Sequence, residues 1–156
     1  MKKLLLMLTL IMTLSLEGHE GHEEPGAIPP APHGGVVAEA KHMHEHSQKG
    51  HNHKDAKKRE IFFEGVYKGK TLKIFPLELD PKTYKSFLDS DISLYKDVKI
   101  KLIDPRKKKT YTPKFKIFKN HWNVSLEKVK GRRFIVKIES SLFGANYKTE
   151  LQVERK

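Results

Sequence analysis

The chain has 156 residues, enough for one domain with its own core plus a tail. It contains no cysteine, which excludes disulfides, iron–sulfur clusters, thiolate zinc sites, cysteine nucleophiles and a lipidated N-terminal cysteine. Lys and Arg number 31 against 19 Asp and Glu, a formal net charge of +12, so anionic surroundings are favoured.

Residues 1–18 have the order of a secretory signal peptide. Lys2 and Lys3 form a positive start, and Leu4 to Leu16 form an apolar run broken only by Thr9, Thr13 and Ser15. The run is shorter than the roughly 20 apolar residues a membrane helix needs. Cleavage after Ser15 or Gly18 leaves a small residue at the cut, and the mature protein is expected in the periplasm of a bacterium.

Residues 19–32 are a flexible segment rich in His, Pro and Gly, with Pro25, Pro29, Pro30 and Pro32 but little apolar content beyond Ile28. Such a stretch cannot bury enough surface to offset its ordering entropy. His19 and His22 make a loose pair of imidazoles, with Glu23 and Glu24 as oxygen donors beside them. His33-Gly34-Gly35 follows. Its two glycines permit backbone angles that let His33 lie over a sheet edge as a ligand, or serve only as a flexible lead into the first strand. Gly34–Ala40, with the pair Val36-Val37, is the first expected strand.

The segment 41–58 reads as an insertion. Eight of the nine histidines lie between His19 and His53. His42, His44 and His46 are spaced by two, so in an extended chain all three imidazoles project to one side. His51 and His53 repeat the spacing. Neutral imidazole is the commonest transition-metal ligand, and several must converge on one ion. The spacing does not match a zinc finger. It suits an open site for copper or zinc, with nickel or cobalt as further candidates, and Met43 adds a thioether suited to copper(I). The competing reading is a polar linker whose histidines are incidental.

From residue 59 onward apolar residues alternate with polar ones. Leu72 and Ile74 begin one run, interrupted at Pro76, where an edge strand or bulge is expected because proline cannot donate to a ladder. Val98, Ile100 and Leu102 share a face, as do Trp122, Val124 and Leu126, then Phe134, Val136 and Ile138, then Tyr147, Thr149, Leu151 and Val153. Gly69, Asp104-Pro105, Lys130-Gly131 and Gly144 stand at the turns. Only Pro81–Asp91 breaks the pattern; Tyr84, Phe87 and Leu88 are spaced for one helical turn, so a short helix or long loop is expected. The fold class is therefore all-β: a small antiparallel immunoglobulin-like sandwich of about seven strands spanning 33–156.

Ala31-Pro32-His33-Gly34-Gly35-Val36-Val37-Ala38-Glu39-Ala40, followed by Glu60-Ile61-Phe62-Phe63-Glu64 and Leu72-Lys73-Ile74-Phe75, resembles the N-terminal periplasmic domain of heavy-metal efflux adaptors, the membrane-fusion proteins of resistance-nodulation-division pumps, and their stand-alone periplasmic relatives. The tight part of the likeness is residues 31–40. The resemblance implies a sandwich linked to export of zinc, cobalt, cadmium or copper, with an efflux pump or its adaptor as partner. The chain is too short for an adaptor's coiled-coil, lipoyl and barrel domains, and the insertion at 41–58 is foreign to the core pattern.

Three further readings follow. His121, beside Trp122, falls opposite the Trp122–Val124–Leu126 face and is expected to be exposed; there it is either a plain surface residue or a companion to His33 at a metal ion. Residues 54–156 carry 27 Lys and Arg against 13 Asp and Glu, with Arg106-Lys107-Lys108-Lys109 the densest cluster. That surplus is a solvated face or a surface for anionic membrane lipids; export removes nucleic acid as a partner. No G-x-S-x-G, H-E-x-x-H or phosphate loop is present, so no enzymatic activity is expected. The expected function is a metal buffer or carrier associated with efflux, the alternative a structural or partner-binding envelope protein.

Overall fold

The computed structural model describes residues 28–43 and 60–155. They form eleven strands: β1 (Val36–Glu39), β2 (Lys41–His42), β3 (Ile61–Lys68), β4 (Thr71–Leu79), β5 (Phe87–Asp89), β6 (Tyr95–Asp104), β7 (Lys109–Tyr111), β8 (Phe115–Phe118), β9 (His121–Ser125), β10 (Arg133–Leu142) and β11 (Ala145–Glu154). All pair antiparallel. One sheet runs β1-β3-β4-β9-β8, with β5 added to β4; the other runs β2-β11-β10-β6-β7. The antiparallel β-sandwich read from the sequence is the fold observed. The count exceeds seven because β2, β5, β7 and β8 are only two to four residues long, too short to show a period.

The alternating runs meet in one core. Phe63, Leu72, Ile74, Trp122 and Val124 of the first sheet face Ile100, Leu102, Val136, Ile138 and Leu151 of the second, all at most 2 % exposed. Removing each such side chain from water is worth about 1.5–3 kcal/mol, which is what drives the two sheets together. The turns behave as their residues dictate. Gly69 closes β3 onto β4 with φ 62°, and Phe143-Gly144 close β10 onto β11 with φ 51° and 80°. Both angles of the second turn are positive, the twist-matched hairpin geometry. Asp104, buried at its side chain, accepts from the backbone N–H groups of Arg106 and Lys107 and shapes the β6–β7 turn. Lys130-Gly131 instead lies on the crossover from β9 in one sheet to β10 in the other.

Two local expectations are decided by the structure. Of the short helix or long loop expected over Pro81–Asp91, the loop is observed, and it runs into β5. The Asp80 carboxylate takes the Lys82 N–H and the Thr83 hydroxyl, Tyr84 turns with φ 54°, and Phe87 starts a short strand on β4. Tyr84 and Leu88 are 68 % and 50 % exposed, so the helical spacing had no apolar face to bury; Phe87 alone anchors the segment, against Phe62. Pro76 sits in a central strand, not an outer one. Yet β9 pairs with β4 only through Ile74, and β5 joins it only from Leu77. The Pro76 carbonyl accepts from Ser90 on that side, so its missing N–H falls in the gap between the two partners.

The first sheet is covered on its outer face as well. Phe62, Phe75, Leu77 and Phe87 form a second apolar cluster there, with Val37, Val66 and Leu79 packed around it. This cluster makes β3 read as continuously apolar rather than alternating. At the opposite edge of the sandwich from β8, the chain passes from one sheet to the other: β1 pairs β3, Ala40 is buried and donates to Ile61, and β2 pairs β11. Among the described residues no helix is long and apolar enough to cross a membrane.

Candidate functional site

The chemistry-bearing side chains of the sandwich gather on the outer face of the first sheet. Cross-strand register explains why. Val37 pairs Glu64, Glu64 pairs Phe75, and His121 pairs Phe118, with Ile74 of β4 opposite Trp122 of β9. Glu64, Phe75, His121 and Phe118 therefore line one row across four strands. Leu77 pairs Asp89 in the next row.

Glu64 is fully buried, a charged residue in the apolar run Ile61–Val66. Burial of a carboxylate is tolerated only when its lone pairs are occupied. The residues ahead of β1 occupy them. The backbone N–H of His33 lies 3.1 and 3.2 Å from the two Glu64 oxygens, the N–H of Gly35 lies 2.7 Å from Oε1, and His33 Nδ1 lies 2.8 Å from Oε2. Gly34 lies between the two donors with φ 76°, a backbone conformation that side chains other than glycine's rarely adopt. Gly35 has no room for a side chain at all: a Cβ there would run into the Gly65 carbonyl and come within 2.8 Å of Val66 Cγ2. The sequence His33-Gly34-Gly35 is thus a cap moulded to one buried carboxylate.

The cap orients the imidazole. A carboxylate accepting at Nδ1 fixes the proton there and turns Nε2 outward. The ring lies flat on Phe75, centroids 3.9 Å apart and planes 11° apart, which with the Nδ1 contact sets its orientation. Its Nε2 faces Asp89 Oδ1 at 3.5 Å. The other Asp89 oxygen accepts a short hydrogen bond from the Asn120 amide, and Asn120 Oδ1 lies 3.4 Å from His121 Nδ1. A chain of polar contacts so runs from Glu64 through His33, Asp89 and Asn120 to His121.

His121 corrects the expectation of an exposed residue: it is 4 % exposed. It is on the face opposite Trp122, as alternation requires, but that face is roofed by Phe75 and Phe118, whose rings lie 4.8 and 5.4 Å from the imidazole. Its Nε2 is buried with no protein partner. Burial first, then the electrostatic influence of Lys73 and of the neighbouring His33, pushes its pKa below the ordinary histidine value, with Asp89 opposing. It is therefore a neutral imidazole at neutral pH.

The other histidines named from the sequence divide by position. His42 is on β2, exposed, opposite Tyr147 and edge-on to its ring at 5.5 Å. It belongs to the second sheet, whereas His33 lies over the first, so the structure does not bring these two together. His19, His22, His44, His46, His51 and His53 lie outside the described residues. Among the described residues no group of three His, Cys, Asp or Glu side chains is assembled for a metal ion. Sequence reasoning missed Glu64, Asp89 and Asn120. The signal for Glu64 was present, since a lone carboxylate inside Ile61-Phe62-Phe63-Glu64-Gly65-Val66 needs donors. Asp89 and Asn120 carried no such signal, because their meeting depends on β5 and the β8–β9 turn.

Comparison with family models, curated proteins and solved structures found no match to this chain.

Proposed function

We propose that this protein binds transition-metal ions outside the cytoplasm, copper or zinc foremost, and acts as a buffer or carrier for a heavy-metal efflux system. The observation that carries the reading is the concentration of imidazoles in a cysteine-free chain with an export-type N-terminus: His42, His44 and His46 are spaced by two, and His51 and His53 repeat that spacing after a break. His42 begins the series on the exposed edge strand β2, so at least its first member is presented to solvent on a rigid support. The likeness of residues 31–40 to efflux adaptors supports the same direction, as does the lack of any catalytic motif. His19 and His22 add secondary donors.

The test is calorimetric titration of the mature protein with copper(II), zinc, nickel and cobalt, before and after replacing His42, His44, His46, His51 and His53 by Ala. Binding should be lost from the main site in the substituted chain, and should weaken below about pH 6 in the parent, since protonated imidazole cannot ligate. Unchanged stoichiometry and affinity in the substituted chain would refute the reading.

One observation favours a second reading, a partner-binding envelope protein. Strand β8 pairs only with β9, leaving an open edge on which Ile117 and Phe118 are 66 % and 54 % exposed. A protein partner captured equally by parent and histidine-substituted chains, with no metal dependence, would favour it.

A further inference from the structure

We infer that His33 and Asp89 form a second metal half-site on the sandwich itself, suited to a tetrahedral divalent ion of the zinc type. The inference is separate from the histidine series of residues 42–53 and shares with it only the premise that such ions reach the protein.

The argument is geometric. His33 Nε2 and Asp89 Oδ1 are 3.5 Å apart. A hydrogen bond between imidazole and carboxylate would be shorter, about 2.7–3.2 Å. Zinc holds nitrogen and oxygen at roughly 2.0–2.2 Å, and two ligands on one tetrahedral ion at that radius stand about 3.4 Å apart. The observed gap fits the edge of such a tetrahedron better than it fits a direct bond.

The surroundings have the features of a metal-ligand support. Glu64 holds Nδ1 at 2.8 Å, which leaves the Nε2 lone pair as the outward donor. Without an ion or a proton between them, that lone pair and the Asp89 carboxylate would repel each other. Phe75 fixes the ring from one side. Asn120 fixes the second Asp89 oxygen, which leaves Oδ1 as the free one. Both ligands are open to solvent, with side chains 29 % and 36 % exposed, so an ion can arrive and water can fill its remaining positions. His121, with its unpartnered Nε2, stands at the far end of the same polar chain and positions Asn120. Two protein ligands make a weak, exchanging site rather than a structural one.

The experiment uses the full mature chain with His19, His22, His42, His44, His46, His51 and His53 replaced by Ala, titrated with zinc against a chromophoric chelator. One residual zinc should bind. Adding Asp89→Asn should lower its affinity at least tenfold, and adding His33→Gln should abolish it, while thermal unfolding of the Asp89→Asn chain stays unchanged because that side chain is at the surface. Imidazole NMR should show the His33 Nε2 resonance move on zinc addition. Residual binding that ignores Asp89→Asn, or a substituted chain that binds no zinc, would overturn the half-site and leave a simple ion pair between His33 and Asp89. The histidine-series reading fails independently, when the fivefold substitution leaves the main binding unchanged.

Discussion

A single carboxylate, Glu64, organises the chemistry of the outer face. It is fully buried and satisfied by two backbone N–H groups and one imidazole. Glu64→Gln keeps the shape but turns an N–H2 group toward donors. It should destabilise the protein by about 1–3 kcal/mol, read as a fall in the urea midpoint at constant slope. His121 gives the pH dependence. Its folded-state pKa is depressed, so the unfolded chain takes up a proton that the folded chain refuses. Stability from this residue is intact above the ordinary histidine pKa of about 6.5, declines as pH falls from there to the depressed folded value, and is constant below. His121→Phe preserves the contacts with Phe75 and Phe118 and removes both the proton and the unpartnered Nε2. The variant should be at least as stable as the parent near neutrality. Its urea midpoint should also fall less between pH 7 and pH 5.

The β1 segment shows what the sequence reveals at the scale of one element and what it hides. That Gly34-Gly35 precede a strand was readable from Val36-Val37; why both must be glycine was not, because the reason is the backbone of β3, which is remote in sequence. Gly34 needs a positive φ and has open space around it, while Gly35 lies against the Gly65 carbonyl. Gly34→Ala should therefore cost about 1 kcal/mol through its backbone alone. Gly35→Ala must push β1 away from β3 and loosen its own bond to Glu64, and should cost more, about 2–3 kcal/mol. Equal midpoints for the two variants in urea would show that the close approach does not matter. The same contrast explains the misreadings. Strands β6, β9, β10 and β11 bury one face in the shared core and show their period; β5 and β8 are held by single residues and by neighbours, so local spacing says little. Alternation placed His121 on the correct face, but it could not show that a second apolar cluster roofs that face.

At the scale of the molecule, the main core owes nothing to histidine. Trp122, the only tryptophan, is 1 % exposed between Phe63 and Tyr95, deep in the contact of the two sheets. The sandwich should fold without metal. Its tryptophan emission and the hydrogen-exchange protection of β9, β10 and β11 should be the same in chelator and in zinc. Loss of protection in those strands on metal removal would make the ion structural and contradict the carrier reading. The sandwich architecture was legible because five runs share one period and one destination. The His33–Asp89 pair was not, because it joins residues whose proximity exists only after β5 has docked on β4.

The crossing strand between the sheets has a consequence for how such a protein can change over generations. Ala40 is tied to Ile61 by a 2.7 Å hydrogen bond, and Met43 to Asn146 by one of 2.8 Å, so the seam between the sheets is stitched shut by residue 43. Loop closure across such a seam costs only about 0.6 kcal/mol for each doubling of length. Imidazoles in the sequence after residue 43 can accordingly be gained, lost or re-spaced while the register of every core strand stays put. If the proposed metal binding holds, metal capacity and fold stability become separate heritable traits, and a lineage facing a new metal can retune the first without risking the second.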